Sequence, residues 1–289
     1  MKIGFYSQNF VVLKNYWSNL KNKFDCWWGV PEEKLYKKLL ELNEKKFSYH
    51  CEPHIKNENI KDKNQFISTD SYNYQKKIAE EINPDLWIVD TPNLLNTLKK
   101  KVPKVQVFQS LPLKKHIFYE KNLDHDLILF PGNYHKDKFL ETFKIKNDDE
   151  KFRVVGWPRV DDLINDKFNR EKILKKLNLD PQKKTVMYAP TWGWGEGNNY
   201  LFCRWFDKET EIFEKLCKFV TEANLNFIVR LHSLSFKTNS KKLIEIAERY
   251  GVYWQTKETS NFQDDPNEFL YVTDILISDV SGIITEFLV

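Results

Sequence analysis

The sequence has no run approaching the ~18 consecutive apolar residues of a membrane span. Its opening, MKIGFYSQNFVVL, has one lysine and an apolar stretch broken by Ser7, Gln8 and Asn9. That opening predicts a first β-strand rather than a secretory leader. Cysteine is scarce: Cys26, Cys51, Cys203 and Cys217 form no C-x-x-C pair. This excludes a disulfide framework and points to reduced thiols in a cytosolic protein. Arginine is scarce too, with six (Arg153, Arg159, Arg170, Arg204, Arg230 and Arg249) among 45 basic residues, and 41 acidic residues leave a net charge of +4. A lysine-dominated, nearly balanced surface excludes a nucleic-acid duplex footprint, while peripheral contact with an anionic membrane stays compatible with it. There is no P-loop, no G-x-G-x-x-G and no G-x-S-x-G. His50, Cys51 and His54 lack the second cluster that a zinc site needs. Asp124-His125-Asp126 directly precedes a strand and reads as a solvated turn. No metal or cofactor is therefore expected.

What is present is globular texture. The 289 residues are 41% hydrophobic, 15% aromatic and 30% charged, enough for two domains of ~100–200 residues with real cores. Short apolar runs at 1–6, 47–51, 66–69, 84–90, 105–109, 126–130 and 152–156 read as strands. Amphipathic stretches at 32–46, 72–82, 92–101 and 135–143 read as helices. After a charged, helix-patterned link at 160–179, ended by Pro181, a second series begins. Its strands are expected at 185–189, 226–231 and 275–278, and its helices at 209–223, 241–250 and 280–288. Strands alternating with helices predict βαβ units and largely parallel sheets. Residues 1–165 are expected as one Rossmann-like domain and 166–289 as a partial second. The second series offers only three convincing strands, and the apolar ending Phe287-Leu288-Val289 carries no helix-stop signal. The alternative is one doubly wound sheet with decorations.

In open α/β sheets, ligands bind beyond the carboxyl ends of the strands. The loops there read Phe108-Gln109-Ser110-Leu111-Pro112-Leu113-Lys114-Lys115, Gly156-Trp157-Pro158-Arg159, Pro190-Thr191-Trp192-Gly193-Trp194, His232-Ser233 and Asp279-Val280-Ser281-Gly282. Ser278 to Gly282 opens a helix, whose free amides suit phosphate. The plainer reading is that Ser278, Asp279 or Ser281 only caps that helix. His232 reads equally as a packed structural histidine or as a ligand-facing one.

Five segments in order resemble the CDP-glycerol:glycerophosphotransferases, the teichoic acid primases and polymerases. VQVFQSLPLKK (105–115) is similar to their VQxWHGTPLKK, and GWPRVDDL (156–163) to GYPRNDxL. VMYAPTWGW (186–194) is similar to LYAPTWR, VRLHS (229–233) to xKLHP, and TDILISDVSGIITEFL (273–288) to SDxLITDYSSxxFEF. The resemblance implies a GT-B fold: an acceptor-side domain and a nucleotide-donor domain with the donor held mainly by the second. It also implies transfer of glycerol phosphate, or a related polyol phosphate, from a CDP-activated donor to a polymer such as teichoic acid or capsule, with release of CMP. No cofactor is implied.

Carried over by position, His232 would contact donor phosphates or the leaving group, and Thr191 and Trp192 would line the donor pocket. Ser278, Asp279, Ser281, Gly282 and Glu286 would stand at the donor phosphates, with Lys114 and Arg159 elsewhere in the cleft. The family's first-domain histidine falls on Gln109, a neutral amide that takes no proton near neutral pH. Its arginine after APTW falls on Gly193, and its second serine falls on Gly282. Gln109 and His232 are expected to face each other, Gln109 orienting the acceptor hydroxyl. His116 is an alternative base. These departures keep two alternatives open, a GT-B glycosyltransferase of surface polysaccharide using a nucleotide sugar and a truncated, non-catalytic relative. The partners implied are a nucleotide-activated donor and a glycerol-phosphate or polysaccharide acceptor, handled in the cytoplasm or at the inner membrane face.

Overall fold

The structure, a computed structural model, describes residues 1–7, 10–31, 33–50, 69–90, 102–108, 118–146, 150–190, 210–230, 241–255, 265–279 and 281–289. The chain divides into two compact units, Met1–Arg159 and Val160–Val289.

The first unit holds a seven-stranded, wholly parallel sheet in the order β3-β2-β1-β4-β5-β6-β7. Its strands are β1 (Lys2–Tyr6), β2 (Asp25–Val30), β3 (Phe47–Tyr49), β4 (Leu86–Val89), β5 (Lys104–Gln106), β6 (Leu127–Phe130) and β7 (Phe152–Val154). Helices α1 (Phe10–Leu20), α2 (Glu33–Glu41), α3 (Thr69–Ile82) and α4 (Asn133–Thr142) run between them. The strand expected at 1–6 is β1, ending at Tyr6, and Phe10 then starts a helix that the strand-like opening did not announce. Phe10, Val11, Val12 and Leu13 are all buried in that helix, so no polar face interrupts the run and β-branched Val11 and Val12 mimic a strand. Thr69, expected to end a strand, opens α3 instead. The helix expected at 92–101 lies outside the described residues.

Side chains alternate across this sheet as the pleat demands. Ile3, Phe5, Cys26, Trp28, Val30 and Ile88 face α1 and α2 in one core. Tyr6, Trp87 and Val89 face α3 through Ile78 and Ile82 in the other. On this second face the Trp87 ring needs space that only glycine leaves. A Cβ on Gly4 would stand 2.5 Å from Trp87 Cε3, and one on Gly29 would stand 2.8 Å from Ile78 Cγ2.

The second unit has a four-stranded parallel sheet in the order β10-β9-β8-β11. Its elements are α5 (Asp161–Ile164), α6 (Arg170–Lys176), β8 (Thr185–Tyr188), α7 (Thr210–Glu222), β9 (Asn226–Val229), α8 (Lys241–Arg249), β10 (Tyr253–Trp254), α9 (Asn267–Val272), β11 (Ile275–Ile277) and α10 (Ile283–Phe287). The helix expected across 160–179 is broken in two, α5 and α6. The break carries Asp166 at a left-handed φ of 48°, and Asn169 caps α6 by accepting from Lys172 N at 2.9 Å. A fourth strand, β10, joins the three expected; it is two residues long, too short for an alternation to show. Val186, Tyr188, Phe227 and Val229 pack under α7 and α8, while Met187, Ala189 and Ile228 pack under α6, α9 and α10. Strands β5 and β11 belong to different sheets, so a single continuous sheet is excluded.

The strand starts of this second sheet are tied by one polar cluster. The Arg170 guanidinium donates to Val272 O at 2.8 Å and to Asp274 Oδ2 at 2.7 Å. Asp274 Oδ2 also accepts from Thr185 N at 2.7 Å. The Asn226 amide exchanges bonds with the Asp180 backbone, 2.7 and 3.1 Å. This fixes α6, β8, β9 and β11 to one another at the edge opposite the carboxyl ends.

Helix stops in both units share one chemistry. Asn43, Asn178 and Asn224 adopt left-handed φ of 53°, 55° and 57° after α2, α6 and α7. The next residue in each case bonds back to the helix: Glu44 N to Leu39 O, Leu179 N to Leu174 O, and Leu225 N to Val220 O. This is the Schellman closure, with asparagine where glycine is commonest.

Gly4→Ala is expected to lower the unfolding free energy by about 1–3 kcal/mol through overpacking against Trp87. Urea denaturation would show a lower midpoint at an unchanged slope, and an unchanged midpoint would contradict the packing described.

Candidate functional site

Because every strand is parallel, all carboxyl ends of a sheet lie along one edge. In the second unit, that edge brings together Ala189 after β8, Arg230 after β9, Gln255 after β10, and Ser278 and Asp279 after β11. Ser278 Oγ donates to Ala189 O at 2.6 Å, which ties the turn into α10 to the segment that leads to Thr191. The Arg230 guanidinium lies over the Phe269 ring, 5.5 Å from its centroid. That contact is a cation–π geometry.

The start of α10 is only partly available to a ligand. Ile284 N and Thr285 N already bond to Ser281 O and Gly282 O at 3.3 and 3.2 Å. Ser281 Oγ accepts from Ile283 N at 3.5 Å, a weak cap. Gly282 has ordinary helical φ and ψ of −60° and −20°, so its glycine identity is not demanded by the backbone. Thr285 Oγ1 donates to Gly282 O at 2.6 Å. Glu286 is buried on the inner side of the same turn.

In the first unit, Arg159 sits in a 3-10 turn, Pro158–Val160. The buried Asn15 of α1 donates its amide to Pro158 O, which anchors the segment carrying Arg159 to the first core. Gln109, Lys114, His116, Thr191, Trp192, Gly193 and His232 lie outside the described residues. The expected facing of Gln109 and His232 falls there as well. Among the described residues there is no group of three or more metal-ligating side chains.

Sequence reasoning passed over two polar residues at the matching edge of the first sheet. Ser7 follows β1 and Asp90 follows β4; they are 0% and 5% exposed. Ser7 Oγ donates to Asp90 Oδ2 at 2.5 Å, within the range of a charge-assisted hydroxyl–carboxylate bond. Inspecting the residues after every strand would have found them, but their pairing depends on β1 and β4 being neighbours, and strand order is not visible in the chain.

One histidine departs from expectation, and a second was not singled out. His125 is not part of a solvated turn; it is buried, with Nδ1 3.0 Å from Asn122 O, while Asp124 and Asp126 on either side are exposed. The turn buries the ring and leaves the two flanking carboxylates in water. His135, in the first turn of α4, lies among Phe108, Phe118 and Phe130 with centroids 4.5, 6.1 and 5.4 Å away. Neither of its ring nitrogens has a hydrogen-bond partner. Burial pushes both imidazoles down to about 4, so both are neutral at neutral pH.

A family model described as CDP-Glycerol:Poly(glycerophosphate) glycerophosphotransferase matches residues 4–289. The chain belongs to this family. Within the glycerophosphotransferase family it is similar to the teichoic acid poly(glycerol phosphate) polymerase of Staphylococcus epidermidis, 27% identical over 61% of this chain and 23% of that protein. It is equally similar to the teichoic acid ribitol-phosphate polymerase TarL of Staphylococcus aureus, 27% identical over 52% of this chain and 25% of that protein. The chain therefore matches about a quarter of the length of these relatives. Among solved structures it resembles the wall teichoic acid polymerase TagF, with a TM-score of 0.63 and 19% identity over 99% of this chain and 67% of that one. It also resembles a Neisseria meningitidis UDP-GlcNAc 2-epimerase bound to UDP-GlcNAc, with a TM-score of 0.62 and 15% identity over 98% and 79%. These likenesses are at the level of fold, a GT-B-like pair of Rossmann-like units.

The buried histidines set an acid limit on stability. Their folded pKa is depressed, so unfolded chains bind more protons between about pH 6.5 and 4. Stability is complete above pH 6.5 and falls as the pH drops, by about 1.4 kcal/mol per unit for each ring. His135→Phe should remove one such loss. Urea titrations at pH 7 and pH 5 would show a smaller drop for this variant than for the parent; an equal drop would place the His135 ring in water.

Proposed function

We propose that this chain transfers glycerol phosphate, or a related polyol phosphate, from a CDP-activated donor to the hydroxyl end of a cell-envelope polymer of the teichoic acid type. The family match over residues 4–289 carries this reading. Relatives named for glycerol phosphate and for ribitol phosphate are equally similar, so the reading leaves the polyol open. CDP-glycerol is the donor tested first, because a TagF variant has been soaked with CDPG.

The chemistry needs three things. The acceptor hydroxyl must lose a proton, the phosphodiester must meet hydrogen-bond donors or cations, and CMP must be stabilised as it leaves. In this proposal the second unit receives the donor at the carboxyl edge of β8, β9 and β11. Ser281, Gly282 and the neighbouring amides approach a phosphate, His232 donates to the phosphates or the leaving group when protonated, and Thr191 and Trp192 line the pocket. Ser278 acts by holding the turn to Ala189, since its hydroxyl is engaged there. Buried Glu286 suits a hydroxyl of the donor better than its phosphate, because two like charges in a dry site repel. Arg159 and Lys114 supply positive charge on the first unit, where the acceptor would bind. Among the described residues no helix is long and apolar enough to cross a membrane. Docking at a lipid-linked polymer through lysine-rich helices belongs to the same proposal, each basic residue near an anionic surface adding ~1 kcal/mol.

Gln109 and Gly193 favour a second reading. With the family's histidine and arginine replaced, a nucleotide-sugar donor becomes the alternative on the same scaffold. Incubation of the full chain with CDP-glycerol or with UDP-sugars, following CMP or UDP release, separates the two. CMP release that rises 10²–10⁴-fold with Gln109→His, the usual worth of a positioned base, and vanishes with His232→Ala is the expected outcome. UDP release alone would move the assignment to glycosyl transfer, and no release with any donor would leave a binding protein.

A further inference from the structure

We propose that Arg230, held in place by the Phe269 ring, binds the phosphates of the nucleotide-activated donor. This rests on the transfer proposed above and adds a residue to its donor site.

Register sets one row of residues across the carboxyl edge of the second sheet. β8 pairs with β9 through Tyr188 and Val229 and with β11 through Tyr188 and Ile277, while β9 pairs with β10 through Val229 and Trp254. The next residue of each strand stands in the row Gln255, Arg230, Ala189, Ser278. Backbone bonds carry the pairing up to it: Arg230 N donates to Tyr188 O at 2.9 Å, Gln255 N to Val229 O at 3.1 Å, and Ala189 N to Ile277 O at 3.0 Å. The chain runs outward from β8 through β9 to β10, then returns to lay β11 on the other side of β8. Open α/β sheets take ligands at the carboxyl ends beside such a reversal. The Arg230 backbone is one strand away from β8, about 5 Å.

The pleat decides where the side chain goes. Val229 packs under α7 and α8, so Arg230, the next residue, turns to the other face. Met187 and Ala189 lie on that face with α9 and α10. There the Arg230 guanidinium lies over Phe269 of α9, 5.5 Å from the ring centroid. The Phe269 ring packs in turn against Tyr253 of β10, with centroids 6.0 Å apart. A ring that holds a guanidinium by cation–π attraction uses none of its five N–H donors. Two of those donors at a time match the oxygens of a phosphate. Arg230 and Phe269 are both half-buried, a setting in which an ion pair is screened less than on the open surface.

Charge at this edge points the same way. Asp279 follows β11, and Glu286 is buried in α10. As carboxylates both repel a nucleotide diphosphate, and in the row above Arg230 brings the compensating positive charge. A lysine there would supply the charge without the planar fork. Every residue of this arrangement belongs to the second unit. Arg230 is then a donor-binding residue, and Phe269 is a positioning residue that acts through it.

The test measures the affinity of the full chain for CDP-glycerol and for CMP by calorimetry, at about 50 and about 500 mM KCl. Arg230→Gln should weaken both ligands about 10–100-fold at the lower salt, the usual worth of a hydrogen-bonded charge, and should flatten the salt dependence. Arg230→Lys should keep part of the affinity. Phe269→Leu, which removes the ring but leaves an apolar side chain, should weaken CMP about 3–10-fold. A purely structural clamp between β9 and α9 would lower the thermal midpoint of Arg230→Gln while leaving its CMP affinity and salt slope parental; that result overturns the proposal. If Arg230→Gln fails to fold, Arg230→Lys and Phe269→Leu decide, and parental affinity and salt slope in both overturn it. If the parent binds neither CDP-glycerol nor CMP, the CDP-donor reading itself has failed, and UDP and inorganic pyrophosphate become the probes. Binding of either that Arg230→Lys or Phe269→Leu weakens would keep the phosphate site for another donor. No binding, or binding equal in parent and variants, would end it.

Discussion

Parallel strand pairing is the constraint on which the rest depends. A parallel sheet must be covered on both faces, because each connection carries a helix back across it. Both sheets obey this. Ile3, Phe5 and Trp28 serve one face of the first sheet and Tyr6, Trp87 and Val89 the other. The second sheet is divided likewise between Val186, Tyr188 and Phe227 and Met187, Ala189 and Ile228. The same pairing collects every strand's carboxyl end on one edge of its sheet. Loops of unrelated sequence thus become neighbours there, and polar side chains can gather without disturbing either core.

The two edges of the second sheet divide the labour. At the strand starts, Arg170, Asp274, Thr185, Asn226 and Asp180 satisfy one another through side-chain and backbone bonds. A partly buried guanidinium with several acceptors in fixed positions suits a rigid base. At the strand ends, Ser278 ties the turn after β11 to Ala189 after β8, and Ser281 caps Ile283 weakly. A fixed base of this kind holds the strands in register, and a site at their carboxyl ends would need its groups pre-placed in the same way.

Much of this architecture was legible in the chain. DLWIVD, TVMY and NFIV are short apolar runs between charged helices, and each is a buried parallel strand in the structure. What stayed hidden has physical causes. Helix α1 is buried through Phe10, Val11, Val12 and Leu13 and so shows no periodicity. Strand β10 is too short to alternate, and its place is set by pairing with β9. His125 and His135 carry no sequence mark of burial; tertiary packing beside Asn122 and Phe108 decides it. The helix start after Ser278 to Gly282 was legible because that segment follows an apolar strand run and precedes a helix-patterned one. Ser7 and Asp90 were not, because 83 residues separate them and only the strand order makes them a pair.

The central claim is that the carboxyl edge of β8, β9 and β11 receives the donor while the opposite edge is structural. Hydrogen–deuterium exchange of the full chain with and without CDP-glycerol tests it most directly. The account predicts slower exchange at Ser281 to Ile283 and in the segments following Ala189 and Arg230, with no change at Lys183 to Thr185 or Asp274. Protection confined to the strand starts, or spread through the first unit alone, would contradict it.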